Sequence, residues 1–233
     1  MGNPLQTSGT FNFAPTVGEL TLYAFHMAGV RPTALTQSHM ESARIAANMI
    51  NSRWSAVGIN LWAVDLQTIT LIPGNATYSV PANTIAILDA YASRASGAAA
   101  RDRIILPVSR TEYASYSNKA QRGAVTVFWY DQLLAPQVTF YMTPDGNYPT
   151  VSYYRVRQIQ DAVLAGGATP EIPFYFLEAY ATGLAQRLAQ IWNPAMAGGL
   201  KTLADEAFEI AANRNTEQAA YYISPMVAPY WRA

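Results

Sequence analysis

The chain has 233 residues, of which 51% are apolar and 13% charged, with a formal net charge of zero. That apolar share supports a buried core and excludes wholesale disorder, while the charged share is half the ~25% of ordinary soluble proteins. The absence of cysteine excludes disulfides, thiolate chemistry and Cys-type zinc sites.

No stretch of membrane-spanning length lacks polar residues, so no membrane helix is expected. Met1 to Pro15 has neither the basic cluster nor the apolar run of a signal peptide. It reads as an extended arm carrying Phe11 and Phe13. Thr16, with Glu19 three residues on, predicts a capping box and a helix over Thr16–Ala28, ended by Gly29. Val17, Leu20, Ala24 and Met27 form its apolar stripe. A second helix is predicted over Thr36–Val57. Ser38 to Glu41 offers a capping box there, and Thr36 a competing cap. Met40, Ala43, Ala47, Ile50, Trp54 and Val57 recur at steps of three and four, the mark of one apolar helix face. Glu41, Arg44, Asn48, Asn51 and Ser52 fall on other faces, and Gly58 stops the helix.

From Leu61 to Ile159 the period changes. Strands are predicted at Asp65–Ile72, Thr84–Ala92, Arg103–Pro107, Val125–Asp131, Gln137–Met142 and Thr150–Arg157. Pro73-Gly74-Asn75 marks a turn, and Pro144-Asp145-Gly146-Asn147 predicts a hairpin between the last two strands. Ser109-Arg110-Thr111-Glu112 caps a short helix reaching Ser117. After Gly166-Gly167 a third long helix carries Phe174, Leu177, Ala181, Leu184, Leu188 and Ile191, closed by Asn193-Pro194. The fourth carries Leu200, Leu203, Ala207, Ile210 and Arg214. The expected fold is α+β. A discontinuous four-helix domain (16–60 and 171–217) is interrupted by a β-rich insertion (61–170) and followed by an extended C-terminal tail (218–233).

Chemistry-bearing motifs are scarce. His26 and His39 lack the further ligand a metal would need, so both read as structural, and no cofactor is expected. Ala197-Gly198-Gly199-Leu200-Lys201-Thr202 lacks the glycine before Lys-Thr that a phosphate loop requires, and reads as a helix–helix connection. There is no Gly-x-Ser-x-Gly elbow. Glu178, Asp205, Glu206 and Glu209 could supply a glycosidase-like carboxylate pair, but their helical spacing reads as a solvated face. Arg94, Arg101, Arg103 and Arg110 form the densest basic run, around the small-residue loop Ser96–Ala100. They suit subunit contacts, with weak non-specific contact to double-stranded DNA second.

Of 15 basic residues only Lys119 and Lys201 are lysine, and tyrosine numbers 15. Interfaces enrich arginine and tyrosine and deplete lysine; a GC-rich genome would give the same arginine bias. The tail, with Tyr221, Tyr222, Met226, Tyr230 and Trp231, is apolar but broken by Pro225 and Pro229. It reads as a partner-binding arm that docks on a neighbouring subunit or another protein, or else packs on its own bundle.

Thr36 through Trp62, with Asn51, Trp54 and Gly58-Ile59-Asn60-Leu61-Trp62, resembles the N-terminal helical segment of podovirus head-to-tail adaptor (connector) proteins. Pro173–Asn193 and Leu200-Lys201-Thr202-Leu203-Ala204-Asp205-Glu206-Ala207, with Asn213, are similar to that family's C-terminal helices. The resemblance implies a structural protein rather than an enzyme. It implies a homo-oligomeric ring, usually twelve-fold, under the portal protein, extending the DNA channel, helping retain packaged DNA and offering a platform to the tail nozzle. The expected location is the head–tail junction of the virion, and the host cytoplasm during assembly. Some family members are associated with cell-wall lysis, so a virion-associated cell-wall hydrolase is the alternative, although no motif here carries it.

Overall fold

Thr16 and Glu19 form the reciprocal cap: the Glu19 amide donates to Thr16 Oγ1 at 3.1 Å and the Thr16 amide to Glu19 Oε2 at 2.8 Å. In the computed structural model, which describes residues 9–58, 61–94 and 101–216, this cap opens α1 (Val17–Met27). Gly29, at φ +77°, turns the chain away from it. α2 (Gln37–Val57) starts from Thr36, the competing cap, and Ser38 lies inside the helix. The third helical position holds His39, whose Nδ1 accepts from the Thr36 amide at 3.2 Å, the role a capping-box glutamate would play. Gly58, at φ +81°, ends α2.

β1 (Val64–Thr70) lies close to its expected bounds, β2 (Thr77–Ser79) is a short strand beyond those expected, and β3 (Thr84–Ser93) and β4 (Asp102–Pro107) again lie close to theirs. The short α3 (Arg110–Ser115) is capped by Ser109. Then come β5 (Arg122–Gly123), β6 (Val127–Asp131), β7 (Gln137–Tyr141), β8 (Thr143–Pro144) and β9 (Thr150–Arg157). Seven strands make one curled sheet in the order β1-β9-β3-β4-β6-β7-β2, and β5 and β8 form a small parallel pair. α4 (Leu177–Trp192) and α5 (Pro194–Arg214) close the described chain. The mixed α+β class is as expected.

One expected pairing is wrong. Gln137–Met142 and Thr150–Arg157 do not form a hairpin: β7 pairs with β6 and β2, while β9 enters between β1 and β3. The turn itself is present, with the Asn147 amide donating to Asp145 Oδ1 at 2.9 Å and Gly146 at φ +96°. A turn fixes only a local reversal. Pairing is decided by which strands complete a common apolar face, and β9 brings Val151 and Tyr153 beside Ala90, Ala92 and Ile105.

Two apolar clusters result. The sheet wraps Leu71, Val80, Ile105, Phe128, Val138 and Phe140, among others. The second cluster draws Val17, Leu20, Ala24 and Phe25 from α1, Ala43, Ala47, Ile50 and Trp54 from α2, Tyr180, Leu184 and Leu188 from α4, and Leu200, Ala207 and Ala211 from α5. Trp54 sits at its aromatic centre, with ring centroids 5.1 Å from Phe176, 5.9 Å from Tyr180 and 6.0 Å from Phe208.

Some stripe assignments shift. Val57, Phe174 and Ile191 are exposed at their helix ends, where neighbours run out. Ala197–Thr202 is not a connection but the first turns of α5, and Leu203 and Ile210 point outward, 50% and 73% exposed. The buried line of α5 is Leu200, Ala207 and Ala211, small enough to let it lie close on α4. Asn51, expected on a polar face, is buried.

That burial has a local cause. After β9 the chain runs as an extended strap along α2, and Ile159 and Ala162 of the strap join the helical cluster. A strap has no strand beside it, so its backbone groups need side-chain partners. Asn48 clasps Ala162 on both sides, accepting from its amide at 2.9 Å and donating to its carbonyl at 3.2 Å. Asn51 donates to the Gln160 carbonyl at 2.9 Å, and Ser55 Oγ accepts from the Ile159 amide at 3.3 Å.

Candidate assembly interface

The basic run is partly assembled by the β3–β4 hairpin. The Arg94 amide donates to the Arg101 carbonyl at 3.1 Å, and Arg103 stands opposite Ala92. Arg94, Arg101 and Arg103 are therefore grouped at one end of the hairpin, and all three are exposed. Asp102 between them is engaged by Ser93 Oγ at 2.7 Å and forms no ion pair with them. Arg110 is also exposed but lies on α3, the next element along. The loop Ser96–Ala100 lies outside the described residues, as do Ile59-Asn60 and the tail residues Tyr221, Tyr222, Met226, Tyr230 and Trp231.

Beside the arginines the sheet carries an apolar band that sequence reasoning did not identify. Leu66 on β1 is opposite Tyr154 on β9, and Leu88 lies in the β3 bulge between Ile87 and Ala90. Ile104 is opposite Tyr91, itself opposite Ser152, and Leu106 is two residues further along β4. The pleat puts Leu66, Tyr154, Ile104 and Leu106 on the face opposite the sheet's core. Ile104 is 74% and Leu106 60% exposed. Ile104, Ile105 and Leu106 are three consecutive apolar residues with no alternation, so the sequence cannot reveal which apolar side faces inward.

Between sheet and helices lies an ion network. Arg155, buried on β9, grips Asp65 with two parallel bonds, Nε–Oδ1 2.7 Å and Nη2–Oδ2 3.0 Å. Its Nη1 reaches Asn83 Oδ1 at 2.8 Å and Thr84 Oγ1 at 2.9 Å. Arg157 pairs with Glu171, which also accepts from the Gln160 amide at 2.9 Å. The Trp62 indole donates to the Glu171 carbonyl at 2.9 Å, so the two crossings between sheet and helices are tied together. The Arg155 hydrogen bonds hold the Asp65 carboxyl below its ordinary value, and those of Arg157 do the same for Glu171.

Glu178 is not brought together with Asp205. Asp205 lines a cleft with Arg53, Arg187 and Lys201, whereas Glu178 and Glu19 line a separate groove of about 1210 Å³ between α1, α4 and residues 10–15. Glu19 is committed to its cap, and the Thr16 amide holds its carboxyl low, the reverse of what a general acid needs. His26 is exposed, and His39 stacks on Trp192 at 3.8 Å between centroids. Among the described residues no group of three or more His, Cys, Asp or Glu side chains could hold a metal, and no helix is long and apolar enough to cross a membrane.

The molecule thus presents an α+β subunit with apolar and basic exposed surfaces on its sheet. Its sequence matches the model of the SU10 adaptor protein family over residues 32–229, and the chain belongs to that family of phage head–tail adaptors. The search of curated proteins gave no match. Membership gives the chain a structural role in a phage, and implies the head–tail junction and association with portal and tail proteins.

Proposed function

We propose that this chain forms a ring, twelve-fold by analogy with podovirus adaptors, beneath the portal of a short-tailed phage, extending the DNA channel, helping retain packaged DNA and docking the tail. The family match over residues 32–229 carries this reading. The surface supports it: a subunit with zero net charge and exposed Ile104, Leu106 and Leu134 is poorly protected against association, and partners that cover those groups remove the problem. In this reading residues 16–60 and 171–217 form the ring body. Residues 61–170 are the module turned toward the tail, and 218–233 is the arm docked on a neighbour or the portal. The exposed arginines Arg94, Arg101, Arg103 and Arg110 contact neighbouring subunits or, less specifically, DNA phosphates.

Size-exclusion chromatography with light scattering, on the purified chain alone and mixed with its portal protein, tests the reading. Co-elution with the portal as a ring-sized complex is expected. A chain that stays monomeric and elutes apart from the portal at micromolar concentrations overturns it.

A further inference from the structure

A cleft of about 130 Å³ lies between α2, α4 and α5, and Arg53, Arg187 and Lys201 line it together with Gln186 and Trp54. Among the described residues Asp205 is the only carboxylate on its lining. Among the described residues none of the three cations has an ion-pair or hydrogen-bond partner through its side chain. The cleft therefore holds two positive charges in excess. Arg53 and Lys201 are exposed, but Arg187 is half-buried on α4, beside the aromatic centre of the helical core. Desolvation first, and then the charge of Arg53, hold its guanidinium below its usual value. Like charges gathered on three rigid helices beside an apolar wall, with Asp205 as the single carboxylate among them, are a standing cost.

We propose that this cleft binds a phosphate group in its dianionic form, either inorganic phosphate or a terminal phosphomonoester. The charge excess selects the class: a phosphomonoester carries about −1.5 to −2 near neutral pH, whereas a carboxylate or a backbone phosphodiester brings a single charge. The donor set fits as well. An arginine fork bonds phosphate oxygens in pairs, lysine adds a point charge, and the Gln186 amide can donate. The volume is about four times the ~30 Å³ share of one water molecule, enough for one phosphate with a little solvent. The site is not a phosphate loop, since Ala197–Thr202 is helical and Lys201 reaches the cleft from the side of α5. It is independent of ring formation.

Isothermal titration of the full chain with sodium phosphate, against sodium chloride at matched ionic strength, is the test. Saturable phosphate binding is expected, weakened at least tenfold in Arg187→Gln. Lys201→Gln, at an exposed position where folding is not at stake, should weaken it several-fold, while Arg44→Gln on another face of α2 leaves it unchanged. Short duplexes with and without 5′-phosphates separate the sources: a preference for the phosphorylated ends assigns a monoester, and phosphate binding without that preference assigns the free ion. Phosphate heats no different from chloride, or equal affinity in wild type and Lys201→Gln, overturns the proposal.

Discussion

Trp54 shows how much one side chain on a periodic stripe can carry. It is 4% exposed and meets three aromatic rings drawn from α4, α5 and the turn before α4. Trp54→Ala leaves a large cavity that these rings cannot close, so a loss of about 3–5 kcal/mol is expected in urea unfolding. Arg155 acts differently. Its removal strands Asp65, Asn83 and Thr84, and cutting one member of such a pair costs about 3–5 kcal/mol when the survivor is deeply buried. Asp65 is one-third exposed, so Arg155→Met should fall at or below the lower end of that range. The same network sets a pH dependence. Asp65 and Glu171 have folded values below their ordinary 3.8 and 4.5. Their contribution is complete above those ordinary values and is lost as pH falls through the lower folded ones. Thermal unfolding followed from pH 7 to pH 2 should show a steep acid loss, flattened in an Asp65→Asn, Glu171→Gln double variant.

At the scale of elements, the caps and the turns were legible because their partners are three residues apart. Thr16 with Glu19 and Ser109 with Glu112 need nothing beyond the local chain. The clasp of the strap was not legible. Asn48 and Ala162 are 114 residues apart, and an asparagine on a helix reads as solvated until something is laid across it. Asn48→Ala removes both bonds to Ala162, each worth about 1 kcal/mol net. Loss of roughly 1–3 kcal/mol is expected, with faster hydrogen exchange at the Ala162 amide than elsewhere in the strap. Exchange unchanged at that amide would mean that the Asn48 bonds do not hold the strap. The absence of a β7–β9 hairpin has the same origin: the turn at Pro144–Asn147 is local and present, but its strands pair with others.

For the whole molecule, the exposed band on the sheet predicts an interface phenotype separable from folding. Ile104→Glu with Leu106→Glu places two charges on side chains already exposed, so the isolated subunit should keep its unfolding free energy within about 0.5 kcal/mol per substitution. Its assembly with portal or tail proteins should weaken, measured by co-elution. Deleting residues 218–233 asks the matching question of the tail. A docking arm leaves the subunit folded and abolishes portal attachment, whereas a segment belonging to the subunit's own core takes the fold with it. The two helical flanks, the β-rich middle, the Thr16 and Ser109 caps and the family resemblance are legible from sequence, because each is written in short periods or local motifs. Which strands pair, which side of Arg103–Leu106 faces water, how Asp65 finds Arg155 across 90 residues and how three cations come to line one cleft are settled by long-range packing. Those outcomes depend on which apolar faces bury one another, and burial is a property of the whole chain that no window of neighbouring residues contains.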